Sequence, residues 1–124
     1  MDLETIKKYC LSKKGTSYYF PFDEYTMVIR VGSKMFVLMN ITNSPLGINL
    51  KCNPYMAIDL RRDFPCIKPG YHMNKAHWNT VTLDGSLPED KIFWLIDLSY
   101  ELVFNGLKKA EKKSILEGVF KAED

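Results

Sequence analysis

The stretch that decides the fold is YTMVIRVGSKMFVLMNI, residues 25–41. Two runs of apolar and β-branched residues, 25–31 and 34–41, flank the dipeptide Gly32-Ser33. β-branched and aromatic residues favour strands. A two-residue connection that contains glycine favours a β-hairpin, because glycine tolerates the positive φ that such turns require. The stretch therefore predicts two antiparallel strands joined at Gly32-Ser33.

Capping residues and helical spacing locate the helices. Asn53 followed by Pro54 is a typical helix start, because asparagine caps the first turn and proline has no N–H to leave unpaired. Ser86 with Glu89 three residues later matches a capping box before the longest apolar helical pattern. The predicted helices are 3–13, 54–62, 88–105 and one or two final turns containing Ile115, Leu116, Val119 and Phe120, after a solvated basic segment at 108–113.

Period-two alternation adds further strands to the hairpin. Residues 77–83 alternate between two sets of side chains, as residues facing opposite sides of a sheet do, and 47–52 reads as another short strand. Residues 18–22 form an aromatic cluster. The tripeptide Lys-Pro-Gly at 68–70 is expected to interrupt regular secondary structure. The element order predicts a single α+β domain over residues 1–124, with helices, in the order α-β(3-4)-α-β(1-2)-α, covering one face of a mostly antiparallel sheet.

Composition narrows the class of protein. The 124 residues are 46% hydrophobic and 26% charged, with a net charge of +2, which is ordinary for a folded protein and excludes disordered, collagen-like and coiled-coil chains. No apolar run approaches the roughly 20 residues of a membrane span. The first ten residues mix acids and bases without an apolar stretch, so we expect no secretory signal and a cytoplasmic protein with three reduced thiols.

The charge is unevenly distributed along the chain. Residues 1–88 hold eleven Lys and Arg against seven Asp and Glu, a net charge of +4, whereas the remainder holds six against eight, a net charge of −2. The segment 64–83 contains no carboxylate. It carries two lysines, side-chain amides, aromatic rings and both histidines of the chain. Such side chains donate to phosphate oxygens and stack on bases. Taken singly, each ring also fits an ordinary structural role in a sheet or turn.

Metal binding and catalysis have weaker signals. Cys66, His72 and His77 lack a fourth ligand and match no structural zinc spacing, so we expect no metal or cofactor. The chain contains no nucleophile, metalloprotease or phosphate-loop motif. A small-ligand or hydrolytic site at His72 and His77 stays open as an alternative, and it would require a pocket with a carboxylate near one imidazole.

Several longer motifs of the chain resemble those of a known protein family. KPGYHMNKAHWNTV (68–81) is followed by LDGSLP (83–88) and SYELV (99–103), and YFPF (19–22) and RVGSKMF (30–36) precede them. Together they closely resemble the MmcQ/YjbR family of small bacterial proteins. The resemblance extends to about residue 113, which leaves the final helix outside it.

The resemblance implies a fold similar to small secretion chaperones and DNA binding through two β-hairpin loops, called wings. The first wing would be Gly32-Ser33, and the second the loop around residues 68–75. We expect a noncatalytic protein that binds double-stranded DNA weakly, with a salt slope of about −0.9 per phosphate contact. The predicted contacts are Arg30, Lys34, Arg61, Arg62, Lys68, Tyr71, His72, Asn74, Lys75, His77 and Trp78.

A protein-interaction or chaperone-like module is the other alternative. It would use the face of the sheet or the acidic C-terminal helix, and an exposed apolar patch would support it. The sequence leaves the oligomeric state, the DNA target and the role of the C-terminal extension open.

Overall fold

An antiparallel sheet and a layer of helices make up the computed structural model, which describes residues 1–71 and 73–122. The strands are β1 (Thr16–Tyr19), β2 (Thr26–Val31), β3 (Lys34–Asn40), β4 (Gly47–Lys51), β5 (Ile67–Pro69) and β6 (Trp78–Thr82). The helices are α1 (Leu3–Leu11), α2 (Pro54–Asp63), α3 (Glu89–Asn105) and α4 (Lys109–Leu116). Within the described residues the six strands lie in the order β1-β2-β3-β4-β6-β5, and neighbours run antiparallel. The predicted α+β class is confirmed.

The predicted hairpin is present. Val31 pairs with Lys34 across the turn, and Gly32 has a φ of +57°, a value that L side chains rarely adopt. An irregularity in the pairing between Ile29 and Arg30 shifts the register of β2 on β3. Phe36 is the extra residue of β3 at this bulge, and the consecutive residues Phe36 and Val37 therefore both belong to the main buried cluster.

The main core lies between the sheet and the helices. α3 crosses β3 and β4, and the fully buried Ser99 Oγ donates to the Phe36 carbonyl at 2.6 Å and accepts from the Lys51 N–H at 2.9 Å. The Tyr100 ring meets Phe36 edge-on. Cys10 is fully buried in this core, and burial raises the pKa of its thiol to about 12.

The structure places the N-terminal ends of α3 and α4 differently from the prediction. Ser86 does not cap α3: its N–H and its hydroxyl both donate to Asp84 Oδ1, at 3.0 and 2.6 Å, and Pro88 takes the N-cap position. The last helix begins earlier than predicted, since α4 runs from Lys109 to Leu116; Lys109 and Lys113 of the basic segment are exposed, and Val119 and Phe120 lie beyond the end of the helix. Its Ile115 is buried against the rest of the core, whereas Leu116 is exposed.

The four strands before α2 and the two after it lie within the predicted order, although no sequence pattern assigned the two short strands β1 and β5. β1 forms inside the aromatic cluster by pairing Tyr19 with Val28, and β5 forms at the predicted interruption by pairing Lys68 with Thr80. Pro69 is tolerated because β5 is an edge strand. Among residues 1–71 and 73–122, no helix is long and apolar enough to cross a lipid bilayer.

Candidate functional site

The two faces of the sheet differ in what covers them. Residues from α1, α2, α3 and α4 all contribute to the buried cluster on one face. A separate small cluster of Val28, Leu38 and Trp78 lies on the other face, and no described helix contributes to it. We call this second face the open face. By strand register, its strand residues are Ser17, Tyr19, Thr26, Val28, Arg30, Met35, Leu38, Asn40, Gly47, Asn49, Lys51, Lys68, Trp78, Thr80 and Thr82.

The segment before β6 lies against the open face. A Cβ atom at Gly70 would stand 2.9 Å from the Cβ of Trp78, so glycine permits the close approach of this backbone. Met73 packs against the small cluster that contains this tryptophan, which is only 7% exposed. The Tyr71 N–H donates to Thr80 Oγ1 at 3.2 Å, which fixes the segment to β6. The loop therefore forms one wall of a concave surface.

A cleft of about 930 Å³ lies over the middle of the open face. Its floor includes Leu38, Asn49 and Thr80, and the Thr80 hydroxyl donates to Asn49 Oδ1 at 2.6 Å. The walls carry three exposed rings and several amides: Phe22, Tyr25, Tyr71, Asn40, Asn43 and Asn74. The volume lies in the range of small-ligand pockets.

Asp23 is the one charged residue among the described residues that line the cleft. Its carboxylate accepts hydrogen bonds from the Thr26 N–H at 2.6 Å, the Thr26 hydroxyl at 3.0 Å and the Tyr25 N–H at 3.1 Å. Desolvation raises the pKa of Asp23, but these hydrogen bonds outweigh it and hold the pKa below its usual value. The carboxylate thus stabilises the turn that precedes β2.

Three cations stand on the open face around the cleft. Arg30 Nε donates to Ser17 Oγ at 3.0 Å, and the guanidinium carbon lies 4.2 Å from the centre of the Tyr19 ring. Lys51 is the cross-strand partner of Trp78, and Lys68 is the partner of Thr80. The strand residues of this face include no carboxylate. The strands therefore give this face a positive charge.

The tip of the predicted first wing is held by α4. Glu111 accepts hydrogen bonds from the Ser33 N–H at 2.7 Å and from the Ser33 hydroxyl at 3.1 Å. Lys34 Nζ donates to the Gly106 carbonyl at 3.3 Å. The hairpin turn and Lys34 thus contact the C-terminal part of the chain.

The two predicted arginines of α2 also lie away from the open face. Arg61 Nε donates to Oδ1 of the buried Asn79 at 2.7 Å, and its guanidinium also donates to the carbonyls of Lys75 and Trp78. Arg62 is exposed and pairs with Asp59 at 3.1 Å and with Asp63 at 2.9 Å. Arg61 connects α2 to β6 and to the loop before it.

The remaining predicted residues lie in the second wing. Lys75 Nζ donates to the Gly70 carbonyl at 3.2 Å, and Asn74 Oδ1 accepts from the Ala76 N–H at 3.0 Å. His77 is exposed, and His72 lies outside the described residues. In the part of the chain that the structure describes, no three His, Cys, Asp or Glu side chains come together as a metal site.

Sequence reasoning missed Lys51, Asn49 and the rings at Phe22 and Tyr25. A signal for the first two was present in β4, where polar Asn49 and Lys51 alternate with apolar Ile48 and Leu50. That alternation places both polar residues on one side of a strand. The two aromatic residues lie in the connection between β1 and β2. No periodicity in that connection predicts which face of the sheet their side chains point to.

Comparisons of the sequence with known proteins find a family and a full-length relative. A family model described as YjbR matches residues 11–102, so the match ends before α4. The Escherichia coli (strain K12) protein described as "Uncharacterized protein YjbR" is 32% identical over 117 residues, which cover 94% of this chain and 99% of that one.

Comparisons with solved structures show that the fold is similar to that of two other bacterial proteins. The Deinococcus radiodurans protein DR2400, a DUF419 family-model domain, superposes with a TM-score of 0.87 at 39% identity, covering 92% of this chain and 87% of that one. A Pseudomonas syringae protein superposes with a TM-score of 0.72 at 31% identity, covering 83% and 99%.

Proposed function

The chain belongs to the YjbR family, and we propose that it is a noncatalytic DNA-binding protein that holds the nucleic acid on its open face. The observation that carries the proposal is the charge of that face. Arg30, Lys51 and Lys68 project from its strands, and the strands place no carboxylate among them. Lysine and arginine bind phosphate oxygens, so a DNA backbone is the polyanion that this surface suits.

Flat side chains on the same face support the proposal. Tyr19 lies under the Arg30 guanidinium, and Tyr71 is 73% exposed at the wall of the cleft. Aromatic rings stack on bases whatever the sequence, and cations beside them follow the backbone. The combination favours binding with little sequence preference.

The proposed binding is weak and depends on salt. The net charge of the chain is only +2, and the open face offers three strand cations. Each phosphate contact releases counterions and contributes about −0.9 to the slope of log K against log salt for a duplex, or about −0.7 for a single strand. Three such cations are thus consistent with modest affinity.

Titration of short labelled DNA at about 50 and about 200 mM salt tests the proposal. The double variant Lys51→Ala with Lys68→Ala is expected to bind more weakly at the lower salt concentration. Its salt slope should be smaller by about 0.7–0.9 for each phosphate that a lysine no longer neutralises. Fluorescence anisotropy measures both quantities.

The matched control is Lys8→Ala with Lys109→Ala, which removes two exposed lysines on α1 and α4, outside the open face. It changes the net charge by the same amount and is expected to bind nearly as tightly as the unaltered protein. Equal reductions of affinity in the two double variants would show that net charge alone attracts DNA, which contradicts a site on the open face.

A further inference from the structure

We infer that the DNA bound on the open face is an unpaired strand, with a base entering the cleft, rather than an intact duplex. This inference rests on the proposed function and specifies its substrate. Three features carry it: exposed rings on the cleft walls, amide donors between them, and the packing of both predicted wings against the domain.

The rings of the cleft suit bases that are free to unstack. Phe22 is 68%, Tyr25 49% and Tyr71 73% exposed, and all three line the cleft. In a duplex the face of each base is covered by its neighbours, so these rings could not reach it. In a single strand every base presents its face, and stacking on aromatic side chains contributes about 1–3 kcal/mol per base.

Amide groups in the cleft match the edges of bases. Asn40 Oδ1 accepts from both the N–H and the hydroxyl of Thr42, at 2.9 and 2.6 Å, and Asn74 Oδ1 accepts from the Ala76 N–H. With their oxygens engaged in local turns, the amide nitrogens of Asn40 and Asn74 are donors for acceptor atoms on a base. Such edges are exposed in unpaired nucleotides.

Charge fixes how the strand would lie. Asp23 hydrogen-bonds to Thr26 at the start of β2, whereas Arg30 lies four residues beyond Thr26 on the same strand, about 13 Å away. Phosphates are therefore repelled from the Asp23 end of the cleft and attracted towards Arg30 and Lys51. An uncharged base is the part of a nucleotide that fits beside Asp23.

Duplex binding through wings is disfavoured by the two loops themselves. A wing reaches the base edges of a duplex by entering a groove, and the major groove is about 12 Å wide, which requires a loop that projects. The Ser33 tip of the hairpin is bound by Glu111 of α4. In the second loop, Gly70 lies close to Trp78, and Met73 packs against the small cluster that contains Trp78. These residues of both loops lie against the rest of the domain.

A three-way titration tests the inference. The unaltered protein and the variant Tyr71→Ala are each titrated with two labelled DNAs at one low salt concentration. One DNA is a single strand, and the other is the duplex made by annealing that strand to its complement. The single strand should bind at least about tenfold more tightly than the duplex, and Tyr71→Ala should weaken single-strand binding by about tenfold, which corresponds to the removal of one stacked base. Duplex binding should not change.

The matched control for Tyr71→Ala is Tyr55→Ala, since Tyr55 is a tyrosine of α2 that is 83% exposed and outside the cleft. Phe22→Ala provides a second cleft variant, so that a folding defect in one leaves the other as a test. Duplex binding that equals or exceeds single-strand binding would overturn the inference and leave the proposed function standing. If neither form binds, both fail. A single-strand preference that survives both cleft variants would overturn the placement of a base in the cleft.

Discussion

Replacing Arg61 with alanine is expected to lower the free energy of unfolding by about 3 kcal/mol, because it removes hydrogen bonds from a charged donor and leaves a buried acceptor unpaired. Arg61 Nε is the donor to Oδ1 of Asn79, which is 2% exposed, and the same guanidinium bonds to the carbonyls of Lys75 and Trp78. Urea denaturation measures the change.

The neighbouring Arg62→Ala variant is the control for charge. Its side chain is exposed and pairs only with Asp59 and Asp63 among the described residues, so its removal should cost less than about 1 kcal/mol. Equal effects of the two substitutions would contradict the structural role of Arg61. Arg61 was predicted as a DNA contact, and a stability loss confined to it would identify it instead as a residue that holds β6 and its loop in place.

Replacing Ser99 with alanine is expected to cost about 2 kcal/mol of unfolding free energy, since a buried carbonyl and a partly buried N–H then lose a partner. Its hydroxyl accepts from the Lys51 N–H on β4 and donates to the Phe36 carbonyl on β3, so one side chain joins α3 to two strands. Thermal or chemical unfolding gives the change in stability.

Ser114→Ala provides the comparison for this serine, because Ser114 lies on α4 and its hydroxyl makes no hydrogen bond to the described residues. Its effect should stay within about 0.5 kcal/mol. A Ser99→Ala variant as stable as the unaltered protein would show that the helix is held by apolar packing alone.

Local sequence signals predicted much of the fold. The Gly32-Ser33 turn, the Asn53 cap and the alternation in residues 77–83 each depend on neighbouring residues, and the structure confirms all three. Ser86 failed as a cap because Asp84, two residues away, binds the same groups. The start of α4 was missed since a cluster of lysines indicated solvent exposure rather than a helix.

The candidate site was harder to predict because it depends on which strands become neighbours. Arg61 and Asn79 are 18 positions apart in the chain, and no local pattern indicates that they pair. Likewise, Ser33 and Lys34 form hydrogen bonds with Glu111 and Gly106. The sequence of the hairpin alone therefore could not show whether these two residues are available to contact DNA. The sequence predicts both Lys68 and Arg30 as DNA contacts because they are basic. The strand order places them on one face of the sheet with Lys51.

The most direct test of binding on the open face is to map a bound single-stranded oligonucleotide on the protein by amide chemical shifts. We expect the largest shifts on the open face and its cleft, at Leu38, Asn49 and Thr80, with little change on α2. Shifts concentrated on α2 around Arg62, or at the Ser33 tip with the open face unchanged, would contradict the proposed site.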